Sequence, residues 1–280
     1  MADLISVIVT TYNRDDALAA VLRSLMRQTD SDFEVIVADD GSGPSTATLV
    51  ESWNARVGHR VEHVWHENKG FRAAEIRNRA ILIARGAYCV FLDGDCIVRP
   101  DFIAAHRRLA ERDWFVSGNR VLLSEALSER VLREDLTPEV WRLTRWLTKR
   151  LRGGVNRMAA LLHLPLGPLR RLRKSAWEGV RSCNLAVWRA DLDRVDGFDA
   201  DYSGWGKEDS DLIVRLLHAG VRRKDGNFAT GVIHLWHKEA DRAWLGDNEG
   251  RLAAVLGSGG VRARRGLSAL AAAAPTGAAG

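Results

Sequence analysis

A chain of 280 residues, 46% hydrophobic and 28% charged, can bury a full core as one large domain or two smaller ones. It has no run of about 18 apolar residues, so no membrane-spanning helix is expected. The net charge of +5 is local: ten Lys or Arg and no Asp or Glu fall between Val140 and Trp177, which argues against a nucleic-acid partner and points to one basic surface.

The opening MADLISVIVTTYNR lacks a basic leader and runs straight into a strand pattern, so no secretory signal is expected. LISVIVTTYN has the β-branched density of a buried parallel strand with polar residues at its end. Asp15 to Thr29 follows with Leu18, Val21, Leu22 and Leu25 at helical spacing. Phe33–Ser42 is a second strand, Thr46–Asn54 a helix, and Val61–Glu67 a third strand. Gly70–Ala84 reads as a helix, AYCVFLDGD as a fourth strand, and Pro100–Glu111 as another helix. This alternation predicts a mostly parallel, Rossmann-like α/β sheet with helices on both faces. In such sheets ligands bind beyond the C-terminal ends of the strands. Thr10–Asn13, Asp39–Ser42, Glu67–Lys69 and Asp93–Asp95 therefore converge on one edge. The alternation stops near Gly118, and Ser124 to Ser175 is rich in Leu, Trp and Arg without strand signals. The expected division is an α/β part over 1–118, a second part over 119–245 with a basic helical insertion at 125–178, and a low-complexity, partly disordered tail over 246–280. Cys89, Cys96 and Cys183 form no CxxC pair, consistent with free thiols and a reducing cytoplasm.

Asp93-Gly94-Asp95 ends a core strand. Two carboxylates at i and i+2 of a regular strand face opposite ways, but at a strand end that turns they can converge on a hard divalent cation. A solvated turn with helix-capping acids is the plain alternative. Asp40, in Asp39-Asp40-Gly41-Ser42, could accept from a base N–H or a ribose hydroxyl, or could belong to an ordinary Asp-rich turn. Neither GxGxxG after the first strand nor GxxxxGK[ST] anywhere is present, which weakens dinucleotide and P-loop readings. In GWGKEDSDL, Gly204 permits close backbone approach and Trp205 offers a flat face to a sugar. Glu208, Asp209 and Asp211 follow, as a candidate general base or as acids favoured by a helix N-terminus. His234 and His237 are candidate metal ligands; HxxH on a helix could suggest zinc, but no third soft ligand lies nearby.

SVIVTTYNR, VIVADDGS, NKGFRAAEIRNRA, VFLDGDCIV and GWGKEDSDL, in this order, resemble the family 2 glycosyltransferases with the A-type fold over roughly residues 4–240. The last motif resembles a segment shared with galactosyltransferase-like and chondroitin-polymerase enzymes. The resemblance implies that Thr10 and Tyr12 line a nucleotide pocket, that Asp40 bonds the base, most often uracil, and that Arg77 approaches the phosphates. It implies that Asp93 contacts ribose, that Asp95 ligates Mn2+ or Mg2+ on the diphosphate, and that His234 or His237 completes the metal site. Asp209 would be the catalytic base, Glu208 would hold the acceptor, and the anomeric centre would invert. Ser182 or Asn184 would lie near the donor sugar, and Ser210 stands where some relatives carry a further acid.

The expected partners are a UDP-sugar donor and a glycan or lipid-linked glycan acceptor, in surface polysaccharide synthesis. The segment 141–174, with Trp141, Trp146 and ten cations, suits an anionic membrane surface at the inner face of the cell membrane or, equally, a solvated basic face. A nucleotidyltransferase and a catalytically silent sugar-nucleotide or glycan-binding module are the alternatives. The first lacks its usual Gly-rich, Lys-bearing loop, and intact Asp95, Asp209 and histidines argue against the second.

Overall fold

The computed structural model describes residues 4–54, 60–238, 241 and 243–273. The first half follows the expected alternation: β1 (Ile5–Thr11), α1 (Asp15–Leu25), β2 (Phe33–Asp39), α2 (Pro44–Asn54), β3 (Val61–Trp65), α3 (Ala73–Ile83), β4 (Tyr88–Asp93). Then come β5 (Cys96–Val98), α4 (Phe102–Leu109), β6 (Trp114–Ser117), β7 (Arg120–Leu122), α5 (Glu125–Arg133) and α6 (Leu143–Leu151). Three short 3-10 turns lie between 138 and 171. The rest is β8 (Asn184–Trp188), α7 (Arg189–Val195), α8 (Glu208–His218), β9 (Arg222–Asp225), β10 (Val232–His234), α9 (Leu245–Ser258) and α10 (Leu267–Ala273).

Seven strands form the main sheet in the order β3-β2-β1-β4-β8-β6-β9. β1 to β4 run parallel, and β8 inserts antiparallel between β4 and β6. Strand residues alternate between two cores, as a sheet covered on both faces requires. Val7, Val9, Val35, Val37, Val90 and Leu92 face α1, while Ile8, Ile36, Cys89 and Phe91 face α3 and α8. Burying each of these larger side chains is worth about 1.5–3 kcal/mol, so the continuous β-branched runs hold the strand ends rigidly. A second, three-stranded sheet, β5-β10-β7, sits at the C-terminal edge of the first. In it His234 pairs in register with Cys96, antiparallel.

Several sequence expectations are corrected. The helix expected over Asp15 to Thr29 stops at Leu25, because Gln28 Nε2 turns to donate to the Arg99 carbonyl and Thr29 N donates to the Pro100 carbonyl. The sheet does not stop at 118: β8 and β9 extend it from the second half. Residues assigned to a low-complexity tail form α9 and α10, and α10 packs on α3 through Leu267, which joins the second core. Residues 274–280 of that expected tail lie outside the described residues. His234 closes a strand rather than a helix. Cys89, Cys96 and Cys183 are free thiols, and no described helix is long and apolar enough to cross a membrane.

Candidate active site

The polar ends of β1, β2 and β4 meet the N-terminus of α8 and the small sheet. The turn after β4 is set by Gly94, whose N–H donates to the Thr10 carbonyl at 2.7 Å. A Cβ there would lie 3.0 Å from that same carbonyl and from Thr11 Oγ1, a tight contact that glycine avoids as the turn lies on β1. The turn aims Asp93 and Asp95 to different partners.

Asp93 faces Arg77, which α3 brings in from below. Arg77 Nε donates to Thr10 Oγ1 at 3.1 Å, Nη1 to Glu208 at 3.2 Å, and Nη2 to Asp93 at 3.4 Å. Burial works against the Arg77 charge, but Asp93, Glu208 and Asp209 around it more than offset that and raise its pKa. One buried guanidinium cannot serve all these acids. Burial pushes Asp93 up to about 6; Arg77 opposes the shift and Asp95 adds to it. Burial, then Asp209, pushes Glu208 up to about 7 against the pull of Arg77. Glu208 Oε2 is buried with no hydrogen-bond partner. The cluster therefore carries an excess of carboxylates that favours an added cation.

Asp95 faces the small sheet and the two histidines. Its Oδ1 lies 3.6 Å from His234 Nε2 and its Oδ2 3.4 Å from His237 Nε2. One ligand atom from each of the three residues lies within 4.8 Å of the other two. Register explains the meeting: β10 runs antiparallel to β5, and Leu235 N donates to the Asp95 carbonyl at 2.9 Å. Burial lowers the His234 pKa, so its imidazole is neutral with a lone pair available to a metal. One carboxylate and two imidazoles fit a divalent cation that accepts mixed N and O ligands, Mn2+ more readily than Mg2+.

Asp209 opens α8 beside Glu208. Its Oδ1 accepts from Ser210 N at 2.7 Å and its Oδ2 from Ser182 N at 3.4 Å. Asp211, in contrast, is turned inward and paired with Arg215 at 2.6 Å. The loop before α8 holds Gly204 at φ +65°, where a Cβ would sit 2.5 Å from the Trp244 ring, so this position needs glycine on both counts. Trp205 is half-buried between Gly204 and Gly206. A cleft of about 530 Å3, lined in part by Asp201, Ser203, Trp244 and Arg251, opens beside this loop.

Asp40 is buried at the end of β2, with Oδ1 2.6 Å from His66 Nε2 and Oδ2 accepting from Arg72 N at 2.9 Å. Tyr12 is exposed at the rim, its hydroxyl accepting from Asn68. Asn184 stands apart from the cluster. It is buried at the start of β8, and its Nδ2 donates to the carbonyls of Asn119 and Thr230, tying the β7 and β10 approaches together. The sequence gives no warning of Arg120. It lies in β7 with Nη1 3.7 Å from Cys183 Sγ; burial works against its charge, and Cys183, Cys96 and Asp93 together outweigh that and raise its pKa. A single arginine among 41 cations carries no signature.

Residues 6–166 match the model of glycosyl transferase family 2, and residues 171–238 that of the N-terminal domain of galactosyltransferase. The chain is 31% identical over 233 residues to validoxylamine A glucosyltransferase of Streptomyces hygroscopicus subsp. limoneus, covering 78% of this chain and 49% of that one. It is 27% identical over 239 residues to chondroitin synthase of Pasteurella multocida (strain Pm70), covering 80% of this chain and 24% of that one. It thus spans about half the length of the first and about a quarter of the second. Among solved structures, mannosyltransferase PcManGT from Pyrobaculum calidifontis, in complex with GDP-Man and Mn2+, superposes with TM-score 0.60 at 20% identity over 99% of this chain and 76% of that one. S. aureus TarS 1-349 in complex with UDP gives TM-score 0.58 at 19% identity over 90% and 65%. These likenesses show the A-type fold.

Proposed function

Because the chain belongs to glycosyl transferase family 2, we propose that it moves a sugar from a nucleotide sugar, a UDP-sugar first among the candidates, to a hydroxyl of a glycan or lipid-linked glycan. Transfer is proposed to need a divalent cation and to invert the anomeric centre. The observation that carries this reading is the pairing of two adjoining clusters: Asp95, His234 and His237 with ligand atoms within 4.8 Å, and Arg77 shared among Thr10, Asp93 and Glu208. The Mn2+ and nucleotides named for the two structural neighbours support it.

Asp95, His234 and His237 would hold the cation, which when bound supplies positive charge beside the departing diphosphate. Arg77 adds a fixed cation to the same region at no reorganisation cost. Asp40 has both oxygens engaged, yet each keeps a lone pair to accept from a base N–H. Thr10 and Tyr12 flank that path, and Asp93 faces the ribose. In the transfer step Asp209 takes the proton of the acceptor hydroxyl while its oxygen bonds the anomeric carbon from the opposite face. The bond from that carbon to the phosphate oxygen breaks, and its electron pair leaves with the diphosphate. A single displacement needs one base and no second carboxylate nucleophile. Glu208 orients the acceptor, and Trp205 gives a sugar ring an apolar face next to the Gly204 turn. Asn184 supports this pocket from behind by fixing the two segments it bridges.

The test is turnover of UDP- and GDP-sugars with and without Mn2+, for the wild type, Asp95→Ala and His234→Ala. Metal-dependent release of nucleoside diphosphate by the wild type, lost in both variants together with Mn2+-induced thermal stabilisation, is expected. Thermal stabilisation by a nucleotide sugar without turnover would support the silent binding module instead, and turnover indifferent to Mn2+ would overturn the cation's role.

A further inference from the structure

The helix α6 is turned inside out. Its sequence LTRWLTKRL buries one side chain, Trp146, which packs on Trp141 with ring centroids 5.1 Å apart. A surface helix of a globular protein ordinarily presents its apolar stripe to the core. Here Leu143, Leu147 and Leu151 recur every four residues and are 51%, 48% and 88% exposed, with Val140 at 51% just ahead. Steps of four residues drift by about 40° around a helix, so the three leucines keep to one outward wedge. Arg150 borders that wedge and the other cations of α6 occupy the far side of the helix. Arg145 and Lys149 stack on Trp141, and Arg142, Arg150 and Arg152 are exposed with no carboxylate partner among the described residues. The field is strong enough to be felt locally: burial lowers the Lys149 pKa first, and Arg130, Arg145 and Arg152 lower it further. From 142 to 174 there is no acid at all.

We propose that this face of α6 docks on an anionic lipid bilayer, the leucines entering the acyl boundary and the arginines and Lys149 lying among the headgroups. Charge selects this occupant. A second copy of the chain would bring one cationic face against another, whereas an anionic leaflet neutralises it and receives the leucines. Nine residues of helix are about 13 Å long, less than half a hydrocarbon core, so α6 lies in the interface and does not span it. Docking of this kind stands whether or not the chain transfers sugar.

The experiment is flotation of the full chain with vesicles of phosphatidylcholine alone and of phosphatidylcholine mixed with phosphatidylglycerol. The wild type is expected to float with the mixed vesicles only, and less at high salt. Leu143→Ser/Leu147→Ser/Leu151→Ser is expected to lose about tenfold or more of that partitioning while keeping its thermal midpoint and nucleotide binding. Arg142→Gln/Arg150→Gln/Arg152→Gln, which leaves the leucines in place, is expected to lose roughly fivefold per cation. Failure of the wild type to float, or equal flotation of the leucine variant, overturns the assignment. So does sedimentation showing a wild-type dimer that the leucine variant dissolves, which would make the face a self-association surface.

Discussion

The cleft at the strand ends and the stretch from 142 to 152 around α6 invert each other. In the cleft, charges are taken out of water. Arg77 is shared among Thr10, Asp93 and Glu208, and the surplus of acid shows as pKa values raised to about 6 and about 7. In that stretch the cations stay largely in water and leucines are pushed out with them, whereas Arg170 and Arg171 further along are tied into the fold. Buried charge costs stability unless something compensates it, whereas solvated charge costs almost nothing. The two regions should therefore answer mutation and pH in opposite ways.

The largest effect is expected from Arg77→Ala. It removes the one cation that holds Thr10, Asp93 and Glu208 together, leaving Glu208 buried and unpaired and the partly exposed Asp93 without its partner. Breaking a buried pair in this way costs about 3–5 kcal/mol, readable as a fall in denaturant midpoint at unchanged slope. Because Asp93 and Glu208 can escape by protonation, the loss should be greater at about pH 8 than at about pH 5. An equal loss at both would mean the arginine acts by packing alone.

Asp209→Asn should separate chemistry from fold. Asp209 Oδ1 accepts from Ser210 N at 2.7 Å, a bond an asparagine oxygen keeps, and only the long 3.4 Å contact of Ser182 N with Oδ2 is given up. The thermal midpoint should stay put while turnover drops about 10²–10⁴-fold, the usual worth of a general base. A drop under tenfold would take that role from Asp209.

Glu208→Gln addresses pH. The folded pKa, about 7, lies above its ordinary value of 4.5. The native state therefore binds the proton more tightly than the unfolded chain. Stability from this group is fully present below about pH 4.5 and is lost as pH rises through 7. In the metal-free chain, the gap corresponds to roughly 3 kcal/mol. Thermal midpoints should thus fall between about pH 5 and about pH 8, and Glu208→Gln should flatten part of that slope and melt higher than the wild type at the alkaline end. A wild-type midpoint that rises over this range would reverse the sign of the claim.

How much of this was legible in the sequence follows the same division. β1, β2 and β4 are buried on both faces, so Val, Ile and Phe run almost unbroken and the polar residues that follow mark the edge. Asp93, Asp95, Asp40 and Arg77 could be placed from that pattern together with the family resemblance. The second half offers no such signal. β7 and β10 have three residues each, and β9 reads RRKD, cations along the rim of the sheet. Their strand state comes from partners far away in the chain. The resemblance had already put one histidine of the two beside Asp95; that both His234 and His237 come near it, and that Arg120 is present, needed the register of β5 against β10 and of β10 against β7. α9 and α10 were missed for another reason: an Ala- and Gly-rich composition looks disordered, yet Leu252 and Leu267 are buried against the body of the protein.

The smallest expected effect falls on the basic segment, and it is the sharpest check on the comparison. Arg150 and Arg152 are exposed and carry no carboxylate partner among the described residues, and Arg152 crowds Lys149. Arg152 is the C-cap of α6, where a cation favours the helix C-terminus, but Arg152→Gln also removes a like charge from Lys149; the two small effects oppose each other, so the change should stay within about 0.5 kcal/mol at low and high salt. Chemical denaturation at two ionic strengths measures it. A clear destabilisation would show that the segment's cations are partners in the fold, as Arg77 is, and the contrast between a charge-paired cleft and a solvated basic face would fail.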